Sequence, residues 1–213
     1  MAGTVIIAYD GAMGRWEPGA KGRLAKAAME LYSERGYENT TVAEIAERAG
    51  LTERTFFRHY ADKREVLFAG AGELQELLVT KVSEAPAELP PVEAITDALV
   101  ALADTVFATS REFAVQRQGI IAANAELRER ELTKMATLGA AVAAALRGRG
   151  VSEPAASLSA EAGVAIFKVA FERWTSQAGT LALASYVRES ADELALLTGR
   201  SARGMQSSGR ESR

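Results

Sequence analysis

The chain has 213 residues, of which 48% are hydrophobic and 25% charged, and its formal net charge is −3. This composition is typical of a folded globular protein, and it excludes a uniformly basic nucleic-acid coat. With no cysteine and a single histidine, His59, disulfides, thiolate zinc sites and multi-histidine metal centres are excluded. We therefore expect no metal and no cofactor.

Proline and alanine usage favours an all-α fold. Alanine, the strongest helix former, is the commonest residue, and the prolines stand only at 18, 86, 90, 91 and 154. No apolar run reaches the roughly 18 residues of a membrane helix and no signal-like segment is visible, which predicts a cytoplasmic protein.

The apolar periodicity predicts about nine helices between two tails. Residues 1–18 are expected to be flexible, and the Ser-, Gly- and Arg-rich residues 200–213 are expected to be disordered. In chain order the predicted helices cover about 19–35, 41–49, 52–59, 62–85, 92–108, 111–147 as two helices with a break near 122–124, 154–177 and 180–198.

The second and third predicted helices form a helix-turn-helix pattern. Glu44 follows Thr41 by three residues, which is the spacing of a capping box. Gly50 supplies the turn, and Thr52 is placed to cap the next helix. Two short helices joined by such a turn and packed on an earlier helix are typical of a DNA-binding module. Phe56, with Tyr60 one turn later, is expected to face the core of this module.

The run from Thr40 to Leu67, TTVAEIAERAGLTERTFFRHYADKREVL, resembles the TetR family of bacterial transcriptional regulators, and the match extends back to Leu24. The rest of the chain fits the family in length and helical character only. The resemblance implies a three-helix DNA-binding domain over 19–65, and a larger helical ligand-binding and dimerisation domain over 66–199.

The resemblance also implies roles for residues of the motif. The third helix would be the recognition helix. Its expected base contacts are Glu53, Arg54, Thr55 and Phe57, and the expected phosphate contacts are Thr41, His59 and Lys63. The chain departs from the family at Phe57, where tyrosine is common, so that this contact would be apolar, with a sugar or a thymine methyl group. A second departure is Ala43, where some members place a base-reading arginine.

Local charge agrees with this interpretation. Residues 48–64 contain five basic and two acidic side chains, although the whole chain is acidic. Phosphate neutralisation requires a local cluster of positive charge and not a basic protein.

No motif marks an effector site or an oligomer interface, and both are expectations from the resemblance. Aromatic and amide side chains of the middle and late helices are the candidates for a ligand pocket: Phe107, Phe113, Gln116, Gln118, Ile120, Phe171 and Trp174. The last two predicted helices are apolar on more than one side, which fits packing against a second copy. The dimer candidates are Phe167, Trp174, Leu183, Val187 and Leu194.

The sequence thus predicts a non-enzymatic regulator, most simply a repressor that binds a palindromic DNA operator as a homodimer and is released by a small-molecule effector. An alternative is a helical small-molecule-binding protein or enzyme whose helix-turn-helix is only structural. A third hypothesis is an activator or nucleoid-type binder that has no ligand.

Overall fold

The computed structural model describes residues 19–108, 111–177 and 181–206, with side-chain surroundings up to residue 199. This part of the chain is all-helical and contains no strand. Its helices are α1 (Ala20–Arg35), α2 (Val42–Arg48), α3 (Glu53–His59), α4 (Ala71–Glu84), α5 (Pro91–Thr105), α6 (Arg111–Ala123), α7 (Ala125–Gly148), α8 (Ala155–Ser176) and α9 (Leu183–Gln206). The predicted fold class and the predicted break between α6 and α7 are confirmed.

The chain divides into two compact units. One unit runs up to Leu77 and takes in Val106–Thr137, and the other consists of Leu78–Thr105 and the chain from Leu138 onward. The predicted boundary at residue 65 separates a DNA-binding domain from a ligand-binding and dimerisation domain. It is defined by function and not by packing, and it stays a prediction.

The first unit has a core to which five helices contribute. Leu24 of α1, Ile45 of α2 and Phe56 of α3 are fully buried in one apolar cluster. Ile121 of α6 and Leu127 of α7 are buried in the same cluster. Helix α3 is therefore held by a core that includes α6 and α7, and not by the helix-turn-helix alone.

The second unit is built on α5, α8 and α9, which pack against one another. Ile95, Ile166 and Val187, one from each helix, are almost completely buried. At Gly163 the helices come so close that an added Cβ would lie 2.5 Å from the Cγ2 of Ile95. A larger residue at position 163 would therefore force Ile95 or the helix backbones to shift.

Helix α4 begins at Ala71, nine residues later than the predicted start at residue 62. The Oδ1 of Asp62 accepts hydrogen bonds from the backbone N–H groups of Arg64 (2.8 Å) and Glu65 (3.1 Å), which is the pattern of a helix N-cap, but the backbone bonds that follow span only three residues, as from the N–H of Leu67 to the carbonyl of Arg64 (3.0 Å). The following residues form tight turns, and Gly70 adopts a φ of +85°. The expectation that the helix starts at residue 62 was wrong, because the backbone after Asp62 closes three-residue turns instead of the four-residue bonds of an α-helix, and Gly70 at positive φ separates these turns from α4.

Helix α9 continues to Gln206, beyond its predicted end near residue 198. The predicted tail over residues 1–18 lies outside the described residues, whereas residues 200–206 of the tail predicted over 200–213 continue α9 and only residues 207–213 lie outside. None of the helices in the described part of the chain is long and apolar enough to cross a membrane.

Candidate nucleic-acid interface

The turn between α2 and α3 is built by side-chain caps and one glycine. Thr41 caps α2: its Oγ1 accepts a hydrogen bond from the N–H of Glu44 (3.3 Å), and its own N–H donates to the Glu44 carboxylate (2.8 Å). Gly50 adopts a φ of +64° and leads into α3, which Thr52 caps through the N–H of Thr55 (3.2 Å). These local bonds confirm the predicted helix boundaries of the helix-turn-helix.

The inner side of α3 anchors the helix to its unit. Phe56 is 0% exposed, and Tyr60 is buried beside it with ring centroids 5.5 Å apart. The Tyr60 hydroxyl donates to the carbonyl of Lys21 (3.1 Å), and burial raises the pKa of Tyr60 to about 12. Both residues lie in the core, as predicted, and they fix the rotation of α3 about its axis.

The outer side of α3 forms a shallow groove lined by Arg54, Thr55, Phe57 and Arg58. Phe57 is 55% exposed. Within the described residues neither arginine forms an ion pair, so both guanidinium groups are available for an incoming anion or base edge. Glu53, the remaining predicted base contact, is exposed at the first position of the helix.

Arg58 is absent from the residues that the sequence singled out for DNA contact. It follows Arg54 by four residues, which places the two side chains on one face of a helix. This spacing was a signal in the sequence that could have identified it. The structure places Arg58 in the same groove as three of the predicted base contacts.

Lys63 has an internal role that the sequence did not reveal. Its Nζ donates hydrogen bonds to the carbonyls of Tyr37 (2.9 Å), Thr40 (2.9 Å) and Glu38 (3.4 Å). The ammonium also lies 4.3 Å from the centroid of the Tyr37 ring. Carbonyls that follow the end of a helix lack helical partners, and Lys63 satisfies three of them. All three donors are used, which leaves none for the predicted phosphate contact.

The other two predicted phosphate contacts, Thr41 and His59, lie outside the groove of α3, one before α2 and the other at the end of α3. Thr41 is exposed, but its hydroxyl donates to the Glu44 carboxylate (2.9 Å). His59, the last residue of α3, is half-buried, and its Nε2 is shielded from solvent and has no hydrogen-bond partner among the described residues. In this conformation the Nε2 does not face an incoming phosphate, and the threonine is engaged as a cap.

The segment that follows α3 is tied to α6 and α7 by charged groups. Arg64 bonds to the carboxylates of Asp62 (2.6 Å) and Glu126 (2.7 Å), and its hydrogen bond holds the pKa of Asp62 below its usual range. Glu65 pairs with Arg130 (2.6 Å) of α7, and Arg117 of α6 donates to the carbonyl of Leu67 (2.6 Å). These contacts fix the segment 62–68 within the first unit.

The residues predicted to line a ligand pocket do not form one cluster within either unit. Five of them, Phe107, Phe113, Gln116, Gln118 and Ile120, belong to the first unit, whereas Phe171 and Trp174 belong to the second. Phe113 and Ile120 pack against the core of the first unit. Gln116 is exposed and donates to the hydroxyl of Ser33 (2.6 Å), so its amide serves the packing of α6 on α1. The pocket assignment stays a prediction.

Three of the predicted dimer contacts are buried inside their own unit. Trp174, Leu183 and Val187 are 3%, 2% and 0% exposed. They cannot meet a second copy without repacking, because the contacts of α8 with α5 and α9 already cover them. Phe167 and Leu194 are half-buried. The apolar side chains that α8 leaves exposed instead include Leu158 (67%), Val169 (50%) and Ala165.

Comparison with known proteins assigns the chain to a family. The family model described as "Bacterial regulatory proteins, tetR family" matches residues 24–69, which contain the helix-turn-helix. A second model, described as "MftR C-terminal domain", matches residues 89–197, about half of the chain. The chain belongs to the TetR family. It is a TetR-family transcriptional regulator with a DNA-binding helix-turn-helix.

Curated relatives of this TetR-family chain are named as regulators of the same type. The transcriptional regulator TcmR of Streptomyces glaucescens is 38% identical over 80 residues, covering 38% of this chain and 35% of TcmR. HbdR of an Aromatoleum species is 29% identical over 101 residues, covering 47% of this chain and 42% of HbdR. The matches thus span less than half the length of these two relatives.

A solved structure covers more of the TetR-family chain. Thermus thermophilus FadR, described as a TetR-family transcriptional repressor in complex with lauroyl-CoA, is 25% identical with a TM-score of 0.51. The match covers 80% of this chain and 90% of FadR. The similarity therefore extends through the helical fold beyond the helix-turn-helix.

Proposed function

We propose that the chain is a repressor that binds an inverted-repeat DNA operator as a homodimer and is released by a small-molecule effector. The observation that carries the proposal is the exposed face of α3, where Arg54 and Arg58 lie one helical turn apart without ion-pair partners in the described residues. An arginine can bind the O6 and N7 atoms of guanine with two hydrogen bonds in the major groove. The assigned base contacts are therefore Glu53, Arg54, Thr55, Phe57 and Arg58.

Phosphate contacts surround this face in the proposal. His59 stands at the end of α3, where its ring would have to turn outward to reach a phosphate because its Nε2 is buried, and Thr41 stands exposed at the start of α2. Lys63 does not belong to the set, because its ammonium is bonded to three backbone carbonyls.

A dimer would give the short recognition helix enough contacts to be specific. Two helices of seven residues, one from each copy, would read two half-sites about one turn of DNA apart. The proposed contact with a second copy is the exposed apolar side of α8, with Leu158, Ala165 and Val169, together with Leu196 and Leu197 of α9.

Release by an effector is supported by the similarity to Thermus FadR, which is a repressor and holds lauroyl-CoA. In the proposed regulator the DNA-binding part is residues 19–65, and the part that binds the effector and the second copy is residues 66–199. Effector and operator affinities would be coupled reciprocally, because each ligand favours one of two states.

Operator binding is tested by selecting bound sequences from a random DNA pool at a stated salt concentration. An inverted repeat is expected. Arg54→Ala should then weaken binding to that operator by about 1–3 kcal/mol and relax the preference at one base step in each half-site. A uniform loss on all sequences would contradict the base contact.

The matched control is Arg188→Ala. Arg188 is an exposed arginine of α9 that lies 3.9 Å from Asp104, and its removal takes away the same charge. Because exposed ion pairs contribute little, this variant should fold and bind the operator as the wild type does. If a folded wild-type protein selects no sequence, even after unfolding and refolding without small molecules, the helix-turn-helix is only structural and the proposal is wrong.

Release by an effector is tested with lauroyl-CoA as the first probe. We expect it to lower the affinity for the selected operator, and the operator to lower the affinity for lauroyl-CoA by the same factor. Fluorescence anisotropy with labelled operator and calorimetry with the thioester measure the two sides of this coupling.

A further inference from the structure

Phe57 places a large apolar ring in the middle of a face that is otherwise polar and cationic. The ring is 55% exposed, so the fold gains little from it. Its neighbours in the groove are Arg54, Thr55 and Arg58. The ring of Phe56, which is fully buried, packs edge-to-face on that of Phe57 with centroids 5.5 Å apart. One side of the Phe57 ring thus packs on the buried Phe56, and the other side faces solvent.

The chemistry of the major groove offers one apolar partner for such a ring. Base edges present hydrogen-bond donors and acceptors, and the C5-methyl group of thymine is the apolar exception. A phenyl ring has no hydroxyl group and therefore cannot donate a hydrogen bond to a phosphate. We propose that Phe57 is a specificity-determining residue that binds the methyl group of one thymine in each half-site. The inference rests on the proposed operator binding.

The positions of the arginines predict where that thymine lies. Arg54 and Arg58 are separated by four residues, or about 6 Å along a helix axis. This distance is less than two base steps of about 3.4 Å. Phe57 lies between them in sequence and in the same groove. The methyl-bearing thymine should therefore lie within two base steps of a guanine bound by one of the arginines.

The first experiment replaces the thymines of the selected operator one at a time by deoxyuridine, which removes only the methyl group. Losing one buried methyl contact should weaken binding by about fourfold for one half-site, and about fifteenfold when both symmetric positions are replaced. Every other thymine should tolerate the replacement. The wild-type protein suffices for this scan, so its outcome does not depend on any variant folding.

The second experiment assigns the contact to its side chain. In Phe57→Ala the difference between thymine and deoxyuridine at the sensitive position should disappear, whereas Phe57→Leu should retain part of it. Leu132→Ala, which truncates a 60% exposed leucine of α7, should keep the full difference. Circular dichroism and thermal unfolding establish that each variant is folded before its affinity is compared.

The outcomes separate this inference from the proposed function. If an inverted repeat is selected but no position is sensitive to deoxyuridine, the proposed operator binding is retained and the proposed role of Phe57 is wrong. A sensitive position that keeps its full effect in Phe57→Ala would also overturn it. Failure to select any sequence with folded protein would instead overturn operator binding itself.

Discussion

Lys63 and Arg58 show that neighbouring cations can have opposite roles. Arg58 projects into the groove of α3, whereas Lys63, five positions later, turns inward to the carbonyls of residues 37, 38 and 40. Their spacing in the sequence does not distinguish them. The difference arises because the turn after α1 brings the carbonyls of residues 37, 38 and 40 close together, where one nearby ammonium can bond to all three.

Replacing Lys63 by methionine, which keeps the length of the side chain, should lower the free energy of unfolding by about 1.5–3 kcal/mol, the range for hydrogen bonds to a charged group. Denaturant unfolding without DNA measures this loss. Lys81→Met, at an exposed position of α4, is the control and should change little.

The same variants separate an internal role from a phosphate contact. The salt dependence of operator binding should stay unchanged in Lys63→Met, because an ammonium that is bonded inside the protein neutralises no phosphate. A slope reduced by one in Lys63→Met, without loss of stability, would show that Lys63 contacts DNA after all.

The sequence placed the buried and exposed sides of α3 correctly. Phe56 and Tyr60 are core residues, and Phe57 faces outward, because a period of 3.6 residues decides which positions share a face. The helical period could not predict the roles of Lys63 and Gln116. Their partners, residues 37–40 and Ser33, are distant in sequence, so the contacts depend on the packing of α1.

At the scale of elements, helices with strong caps are the best predicted. α2 begins after Thr41 and α3 after Thr52, since each threonine bonds to the N–H three residues ahead. The start of α4 was misplaced because the backbone after Asp62 closes three-residue turns and Gly70 stands at positive φ, although Asp62 bonds to the N–H groups of Arg64 and Glu65 as a cap would. A capping side chain and an apolar pattern are therefore not sufficient to start an α-helix where the backbone that follows adopts shorter turns.

The cap of α2 gives a prediction at this scale. Thr41→Ala should lower the free energy of unfolding by about 0.5–2 kcal/mol, because it removes the acceptor of the Glu44 N–H. Thr41→Ser should retain most of the stability. Thr133→Ala is the control, since the Thr133 hydroxyl lies within α7 and donates to the carbonyl of Glu129 (3.1 Å) without capping a helix. Unfolding with denaturant in the absence of DNA measures all three, and equal losses in Thr41→Ala and Thr133→Ala would contradict the role of the cap.

At the scale of the whole molecule, burial decides which apolar residues remain for a second copy. The core of the second unit buries Trp174, Leu183 and Val187. The apolar side chains of Leu158 and Val169 remain exposed on α8. All five are apolar and fall in amphipathic patterns, so periodicity cannot assign them to a core or to an interface. Only the packing of α8 against α5 and α9 separates the two groups.

We expect Val169→Glu to convert a dimer into monomers, because a carboxylate would be buried against the symmetry-related helix. Analytical ultracentrifugation over a range of concentrations measures the oligomeric state. Leu132→Glu, at a residue of α7 that is 60% exposed, is the matched control and should leave the dimer intact. A dimer that survives Val169→Glu, or a wild type that is monomeric at every concentration, would contradict the proposed interface.

By itself the sequence determined the all-α class, the helix-turn-helix with its caps and turn, and the family that these motifs resemble. Those features depend on local hydrogen bonds and on the helical period, which a few consecutive residues specify. The tertiary structure decided the rest: the inward Lys63, the core that α6 and α7 share with α3, and the exposed face of α8. Each of these depends on contacts between residues far apart in the chain, where burial and the demand for hydrogen-bond partners select among positions that look alike in sequence.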